Sequence, residues 1–350
     1  MAIYRIHPEK DSTIWSETSV AGIYGNAGRD EILEIGGYPD VNQVGRSKRA
    51  LLQFSSTEII NTVNNVTSGA ISCSIKLYNA TATSLPSDYT IEAYPISESW
   101  VNGLGKLDDK PVNKTGVSWK YRGAQEDLWG TEGGSYLTSE SGSKTVSLGN
   151  THDISIDVTS IVAQHYSGSI NNNGILLKIE DAFENYTETS INLRYFSTNT
   201  NTIYSPYLEF KWNDTVYNPG ALPQLSTDNA NIHVNNLKPE YLNSGDTRFR
   251  LTARPTNPVR EFTTSSIYLQ NYVLPPNSFW SIVDEYSNDT IVDFDPSFTK
   301  ISADSNGSYF DVKMDMFSPE RYYKILIKTT VNSNTFIFSD KNLFKVVRNG

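Results

Sequence analysis

Apolar and polar residues alternate in short runs along most of the chain. Ile3-Tyr4-Arg5-Ile6 opens it, and Glu31 to Gly36, Arg49 to Phe54, and Ala70 to Tyr78 follow. Asn173 to Leu177 and Ser205 to Phe210 continue the pattern. Turn formers separate the runs, as in Tyr24-Gly25-Asn26-Ala27-Gly28. A period of two sends successive side chains to opposite faces of a sheet, so each run predicts a strand with one buried face. Helical spacing is confined to Val158 to His165, where Ile161, Val162 and His165 share a face. That segment predicts a turn or two of helix between strands.

The pattern breaks after residue 212. Asn213 to Pro223 combines turn dipeptides with Pro219 and Pro223, which marks residues 213–230 as a linker between a domain at 1–212 and a second at 231–350. Alternation resumes in Ile232-His233-Val234, Arg248 to Arg254, Phe310 to Met316, Tyr323 to Lys328 and Thr335 to Phe338. Several strands at short spacing predict a second, smaller sandwich of immunoglobulin-like type. Ser318-Pro319-Glu320-Arg321-Tyr322-Tyr323 has the form of the turn before a late strand in such a domain. The main irregularity is the loop from Val101 to Gly149; an excursion of this length on a compact sandwich is either functional, carrying contacts, or mobile.

Composition narrows the functional classes. Aromatic residues make up 12% of the chain, with 21 Tyr and 14 Phe, which suits pleated, half-buried surfaces. The formal net charge is −10, and the densest basic run is only Arg46-Ser47-Lys48-Arg49. Phosphate binding needs concentrated Lys and Arg, so nucleic acid is not an expected partner. No window approaches the roughly 20 apolar residues that span a bilayer, and Met1 to Pro8 has no basic and apolar leader pattern. Neither a membrane association nor export is therefore expected. Cys73 is the only cysteine; in an alternating strand it reads as a small buried side chain.

Candidate chemistry is sparse. His7, His152, His165 and His233 form no metal-type pair, and no HExxH, GxSxG or P-loop pattern occurs. The chain is therefore expected not to be an enzyme. A structural calcium is the one cofactor considered, at Asp108-Asp109, Glu180-Asp181 or Asp153 with Asp157, since Ca²⁺ takes clustered oxygens; the alternative for each is a solvated loop carboxylate. Trp100, Trp119 and Trp129 are the indoles considered for stacking on a sugar face. Trp129, in the loop Gln125 to Gly130, and Tyr136 are the candidate glycan-binding residues; a packed loop anchor is the other role for Trp129.

The order of these signposts, with Ser99-Trp100, Val117-Ser118-Trp119 and Ile156-Asp157-Val158-Thr159 among them, resembles the DNRLRE family. That resemblance covers residues 3–212 and implies a jelly-roll β-sandwich related to carbohydrate-binding modules. It makes Trp100 and Trp119 core residues and Asp157 a structural acid at the start of the short helix. Residues 231–347 are similar to virion structural proteins of tailed, marine myovirus-like bacteriophages. Val259 to Phe262, Tyr286 to Phe294 and Pro319 to Ile325 carry that likeness. Together the resemblances imply an all-β, non-enzymatic virion component of the tail, baseplate, neck or capsid decoration. Such a protein assembles in the host cytoplasm and resides in the virion. Its partners would be other virion proteins, arranged with it as a symmetric oligomer. The alternative they imply is a carbohydrate-binding or adhesion module that recognises host surface polysaccharide.

Overall fold

The computed structural model describes residues 2–17, 24–66, 69–81, 87–107, 109–124, 126–147, 153–235, 237–258, 270–339 and 342–348. Strand accounts for 45% and helix for 7%, which makes the protein all-β. The chain divides into two compact units. One takes residues 5–65 and 72–210; the other takes 211–350 with 1–4 and 66–71. Among the described residues no helix is long and apolar enough to cross a membrane.

The first set of elements runs β1 (Ala2–Ile6), β2 (Pro8–Trp15), β3 (Ile32–Pro39), β4 (Gly45–Phe54), α1 (Ser56–Asn64), β5 (Ile71–Leu77), β6 (Tyr89–Pro95) and β7 (Gly142–Val146). It continues with β8 (Ile154–Asp157), α2 (Thr159–Ser167), β9 (Ile175–Ile179), β10 (Ile191–Phe196) and β11 (Tyr207–Trp212). One sheet has the order β1-β11-β5-β8; the other has the order β10-β3-β4-β9-β6-β7, with β2 also paired to β4. First and last strands are neighbours, and β4-β9-β6-β7 faces the other four as a second Greek key. This is a jelly roll, to which β2, β3 and β10 are added.

Alternation sets the faces. In β6 the residues Tyr89, Ile91, Ala93 and Pro95 are buried, while Thr90, Glu92 and Tyr94 are not. Ile91 pairs with Ile179 and Ala93 with Leu177, which stacks apolar groups toward the sandwich core. Strand β9 departs from alternation: all five residues are buried. Its second face is covered too. Leu176 joins Ile14 and Leu51 in a satellite core with Ile96 and Trp100, which lead into the long loop, and with Val117 and Trp129 from the loop itself. The loop is thus packed on the outside of the sheet, and strands buried on both faces lose the polar half of their pattern.

Helix α2 matches the predicted segment and ends at Gly168, which takes φ 73° as a left-handed cap. The Asp157 carboxylate accepts from the Thr159 amide at 2.9 Å, so it does serve the helix start. Helix α1 was not expected from the spacing of its apolar residues.

The second unit contains β12 (Ala230–Asn235), β13 (Glu240–Leu242), β14 (Asp246–Pro255), β15 (Phe279–Asp284) and β16 (Thr290–Val292). After them come β17 (Ser302–Asp304), β18 (Gly307–Lys313), β19 (Arg321–Val331), β20 (Asn334–Phe338) and β21 (Leu343–Val347). The predicted run to Met316 stops at Lys313 and gives way to a 3-10 turn at Met314–Met316. Sheet orders are β12-β14-β18-β17 and β13-β21-β19-β15-β16, with β20 on β19. Strand β20 pairs residues 327–331 of β19 and β21 pairs residues 321–324, so the two continue one another along a single neighbour. The short β13 runs parallel to β21.

These orders are those of an immunoglobulin-like sandwich, and two of its side-chain hallmarks are present. Trp280 on β15 is buried and stacks on Phe310 with centroids 5.0 Å apart and planes at 15°. Tyr323, near the start of β19, donates its hydroxyl to the Ser318 carbonyl at 2.9 Å, a tyrosine corner. Ile325 stands two residues later, where antibody domains carry a disulfide cysteine; here apolar packing with Phe249, Leu251 and Phe344 fills the core. Residues 213–230 belong to this unit: Leu225 is buried in its core, and the Tyr217 hydroxyl donates to the Leu274 carbonyl at 2.8 Å.

Candidate functional site

Register brings one set of charges to the outer face of the jelly-roll sheet. Leu51 lies opposite Leu176, Leu176 opposite Tyr94, and Lys178 opposite Glu92. Arg49, Leu51, Leu176, Lys178, Glu92 and Tyr94 therefore share the face away from the main core. Loop residues cap the two leucines, and the charged groups gather beside that cap. The Arg49 guanidinium grips the Glu184 carboxylate through Nε and through Nη2, the latter at 2.9 Å, and donates from Nη1 to the Gly133 carbonyl at 2.7 Å. Its carbon lies 4.9 Å from the Trp119 ring and 5.6 Å from the Tyr136 ring. Lys178 bonds to Asp181 and stands 3.3 Å from Glu184 and 3.9 Å from Glu92.

Buried charges survive only when paired, and these are. Burial works against the Lys178 ammonium, but the hydrogen bond to Asp181 and the field of Glu184 outweigh it and hold its pKa above the ordinary value. The same hydrogen bond keeps the Asp181 carboxyl below its usual range. Tyr94 stacks on Tyr136 with centroids 4.9 Å apart and a tilt of 32°. Burial, then the charge of Glu92, pushes the Tyr94 phenol up.

The two residues expected to meet a glycan have different fates. Trp129 is only 5% exposed, and its indole N–H donates to the Ser118 carbonyl at 3.0 Å. It is a loop anchor whose faces are covered, so the stacking role is corrected by burial. Tyr136 is half-buried and packs against the satellite core, with Tyr94 and Arg49 alongside. Trp100 is buried, and its indole donates to the Asn173 carbonyl at 2.8 Å; Trp119 is half-buried against the same core.

A cavity of 290 Å³ opens beside β3, with Asp30, Glu31, Glu34, Lys106, Leu107 and Arg194 in its wall. Glu34 and Arg194 are register partners. The Glu34 carboxylate accepts from Arg194 Nε at 2.7 Å, Asn192 Nδ2 at 3.0 Å and Lys48 Nζ at 2.5 Å. Burial alone would raise its pKa; the Lys48 charge and these hydrogen bonds lower it below the ordinary value. Across the rim, Lys106 donates to Glu31 at 2.9 Å.

The carboxylates considered for calcium serve other partners. Asp109 accepts from the Lys106 amide, Asp153 from Asn79, Glu180 from Thr90, and Asp181 from Lys178. Among the described residues no three or more His, Cys, Asp or Glu side chains gather as a metal site. Asp108, His152 and Val259 to Phe262 lie outside the described residues. Burial lowers the His165 imidazole to about 4 and pushes the Cys73 thiol well up, so neither is primed for neutral-pH chemistry.

Lys178 and Glu34 were missed because each sits alone in an apolar run, Ile175–Ile179 and Ile32–Ile35. A lone charge inside such a run is itself the signal of a paired buried ion.

In the second unit, the outer face of β15, β19, β20 and β21 mixes apolar and basic groups. Lys324 pairs with Leu343, Tyr322 with Lys345, and Lys328 with both Ile337 and Phe279. Ile337 is 57% exposed, Leu343 42% and Tyr322 41%. Tyr286, 72% exposed, meets Tyr322 edge to face at 5.9 Å.

No family model matches the sequence. No curated protein matches it either. Among solved structures the chain is similar to the apo β-glucuronidase 3 of Bacteroides uniformis, at 10% identity and a TM-score of 0.23, over 98% of this chain and 35% of that one. A DUF4785 family protein from Legionella pneumophila gives 9% identity and a TM-score of 0.18, over 97% and 65%. A putative β-galactosidase from Bacteroides fragilis gives 9% and 0.18, over 97% and 41%. The chain spans between 35% and 65% of the length of these proteins. Likenesses this slight carry no argument about function.

Proposed function

We propose that this chain is a non-enzymatic structural component of a tailed-bacteriophage virion, in the tail, baseplate, neck or capsid decoration, and acts by protein–protein assembly. The observation that carries the assembly reading is the outer face of β15, β19, β20 and β21. There Tyr322, Ile337 and Leu343 stand exposed between Lys324, Lys328 and Lys345. Exposed apolar groups flanked by lysine stems, which can themselves lie along apolar surface, form a patch that a protein partner can cover. The virion assignment rests on the sequence resemblances of residues 3–212 and 231–347, and other virion proteins in a symmetric oligomer are the partners it implies. The charges of the first unit support a structural role, since Arg49, Lys178 and Glu184 are tied to one another or to the backbone, and Glu34 is tied to Lys48 and Arg194.

The test is incorporation. A chain carrying Ile337→Asp and Leu343→Asp is expected to fold, because both side chains face outward, and to be missing from purified particles. Wild-type levels in the particle would overturn the reading.

A second reading, a glycan-binding or host-adhesion module, is favoured by one observation: the stacked Tyr94 and Tyr136 pair beside Arg49 and Glu92. Loss of polysaccharide binding in Tyr136→Ala is its signature.

A further inference from the structure

We propose that the cavity beside β3 is a binding site for a neutral, polyhydroxylated ligand, of the class of a single sugar residue. Its 290 Å³ lies at the lower bound of small-ligand pockets, near 300 Å³, which suits one ring and not an extended chain. Charge balance excludes ions. Glu34 is matched by Lys48 and Arg194, and Glu31 by Lys106. The Asp30 carboxylate accepts from the amides of Ile32 at 3.3 Å and Leu107 at 3.0 Å. An anionic ligand would meet Asp30 and Glu31; a cation would meet Arg194 and Lys106.

The wall also offers what hydroxyl groups need. Arg194 engages Glu34 through Nε, and among the described residues no hydrogen bond occupies its two Nη groups. Those form a planar fork of donors that matches vicinal oxygens. Thr13 Oγ1 accepts from the Glu34 amide at 3.0 Å, which leaves its own O–H to donate. Glu31 and Asp30 supply acceptors, and Ile32 and Leu107 supply apolar surface for C–H groups. Preorganisation is built in: Arg194 and Glu34 face each other across paired strands, and the Leu107 amide ties the long loop to Asp30. The inference is independent of the assembly face and uses a different surface from the Tyr94 and Tyr136 pair.

The experiment is ligand-observed NMR on the full chain with methyl glycosides of glucose, galactose, mannose and N-acetylglucosamine, and with inorganic phosphate as the anionic probe. At least one glycoside is expected to bind and phosphate is not. Arg194→Ala should weaken binding by about tenfold, the loss of one or two hydrogen bonds. Leu107→Trp, which fills the cavity from a half-buried loop position, should abolish it. Val41→Ala, at an exposed position outside the cavity wall, should leave it unchanged. A free sugar and a terminal residue of a polysaccharide share this chemistry; binding of the glycoside alone, or tighter binding of an oligosaccharide ending in it, supports the site and names its source. The proposal is overturned if no glycoside binds the folded wild type, if phosphate binds instead, or if both cavity variants bind as wild type does.

Discussion

Glu184 holds two cations at once, Arg49 through both carboxylate oxygens and Lys178 at 3.3 Å. Neutralising it takes the carboxylate partner from the buried Arg49 guanidinium and one of three nearby counter-charges from Lys178, which is the expensive way to break a buried pair. Glu184→Gln is expected to destabilise the first unit by about 3 kcal/mol, read as a lower urea midpoint with an unchanged slope. His165 makes a pH-dependent statement. Burial lowers its folded pKa to about 4 from an ordinary 6.5, so the folded chain binds fewer protons than the unfolded one between those values. Stability is then fully present above pH 6.5 and falls as pH drops toward 4. Urea titrations at pH 7 and pH 5 should show that loss, and His165→Gln should reduce it. An imidazole resonance titrating near 6.5 in the folded chain would contradict this.

Elements were legible where one face meets water. Strands β5, β12, β14 and β19 alternate cleanly, and the runs at 70–78, 232–234, 248–254 and 323–328 place them. Strand β2 was not, because Asp11, Ser12, Thr13 and Ile14 are all buried, and a polar run reads as a loop. Asp11 is accommodated by Thr198, whose amide and hydroxyl donate to it at 2.7 and 2.6 Å, a partner far along the chain that no local pattern reveals. The excursion expected from Val101 to Gly149 holds only in part: strand β7 (Gly142–Val146) lies inside those bounds, and the stretch before it folds back as a lid on Leu51 and Leu176. Its anchor makes a prediction. Trp129→Ala removes a buried indole and is expected to cost about 3 kcal/mol or more. Limited proteolysis should then cut within residues 101–137, while cleavage equal to wild type would mean that the anchor lies elsewhere. Of the candidate site, Tyr136 was legible as an aromatic in this loop. Its partners Tyr94 and Arg49 come from two other segments, joined only by sheet register.

At the scale of the whole molecule, two β-sandwiches account for nearly every described residue. The second is immunoglobulin-like by strand order, by Trp280 and by the Tyr323 corner. Its turn at Ser318 to Tyr323 was readable in advance because a tyrosine corner has a local sequence form. The strands β16, β17 and β21 were not, since three- to five-residue strands carry too little alternation to stand out. The exposed face of β15, β19, β20 and β21 is invisible in sequence for another reason: Tyr322, Ile337 and Leu343 lie on separate strands and share a face only through pairing. That face is where the account of function is most exposed to test. The direct measurement is a cryo-EM reconstruction of the source particle. With the proposed virion role, symmetric density for this chain is expected, with Tyr322, Ile337 and Leu343 buried against a neighbouring virion protein. Absence of the chain from the particle, or its presence with that face open to solvent, would contradict it.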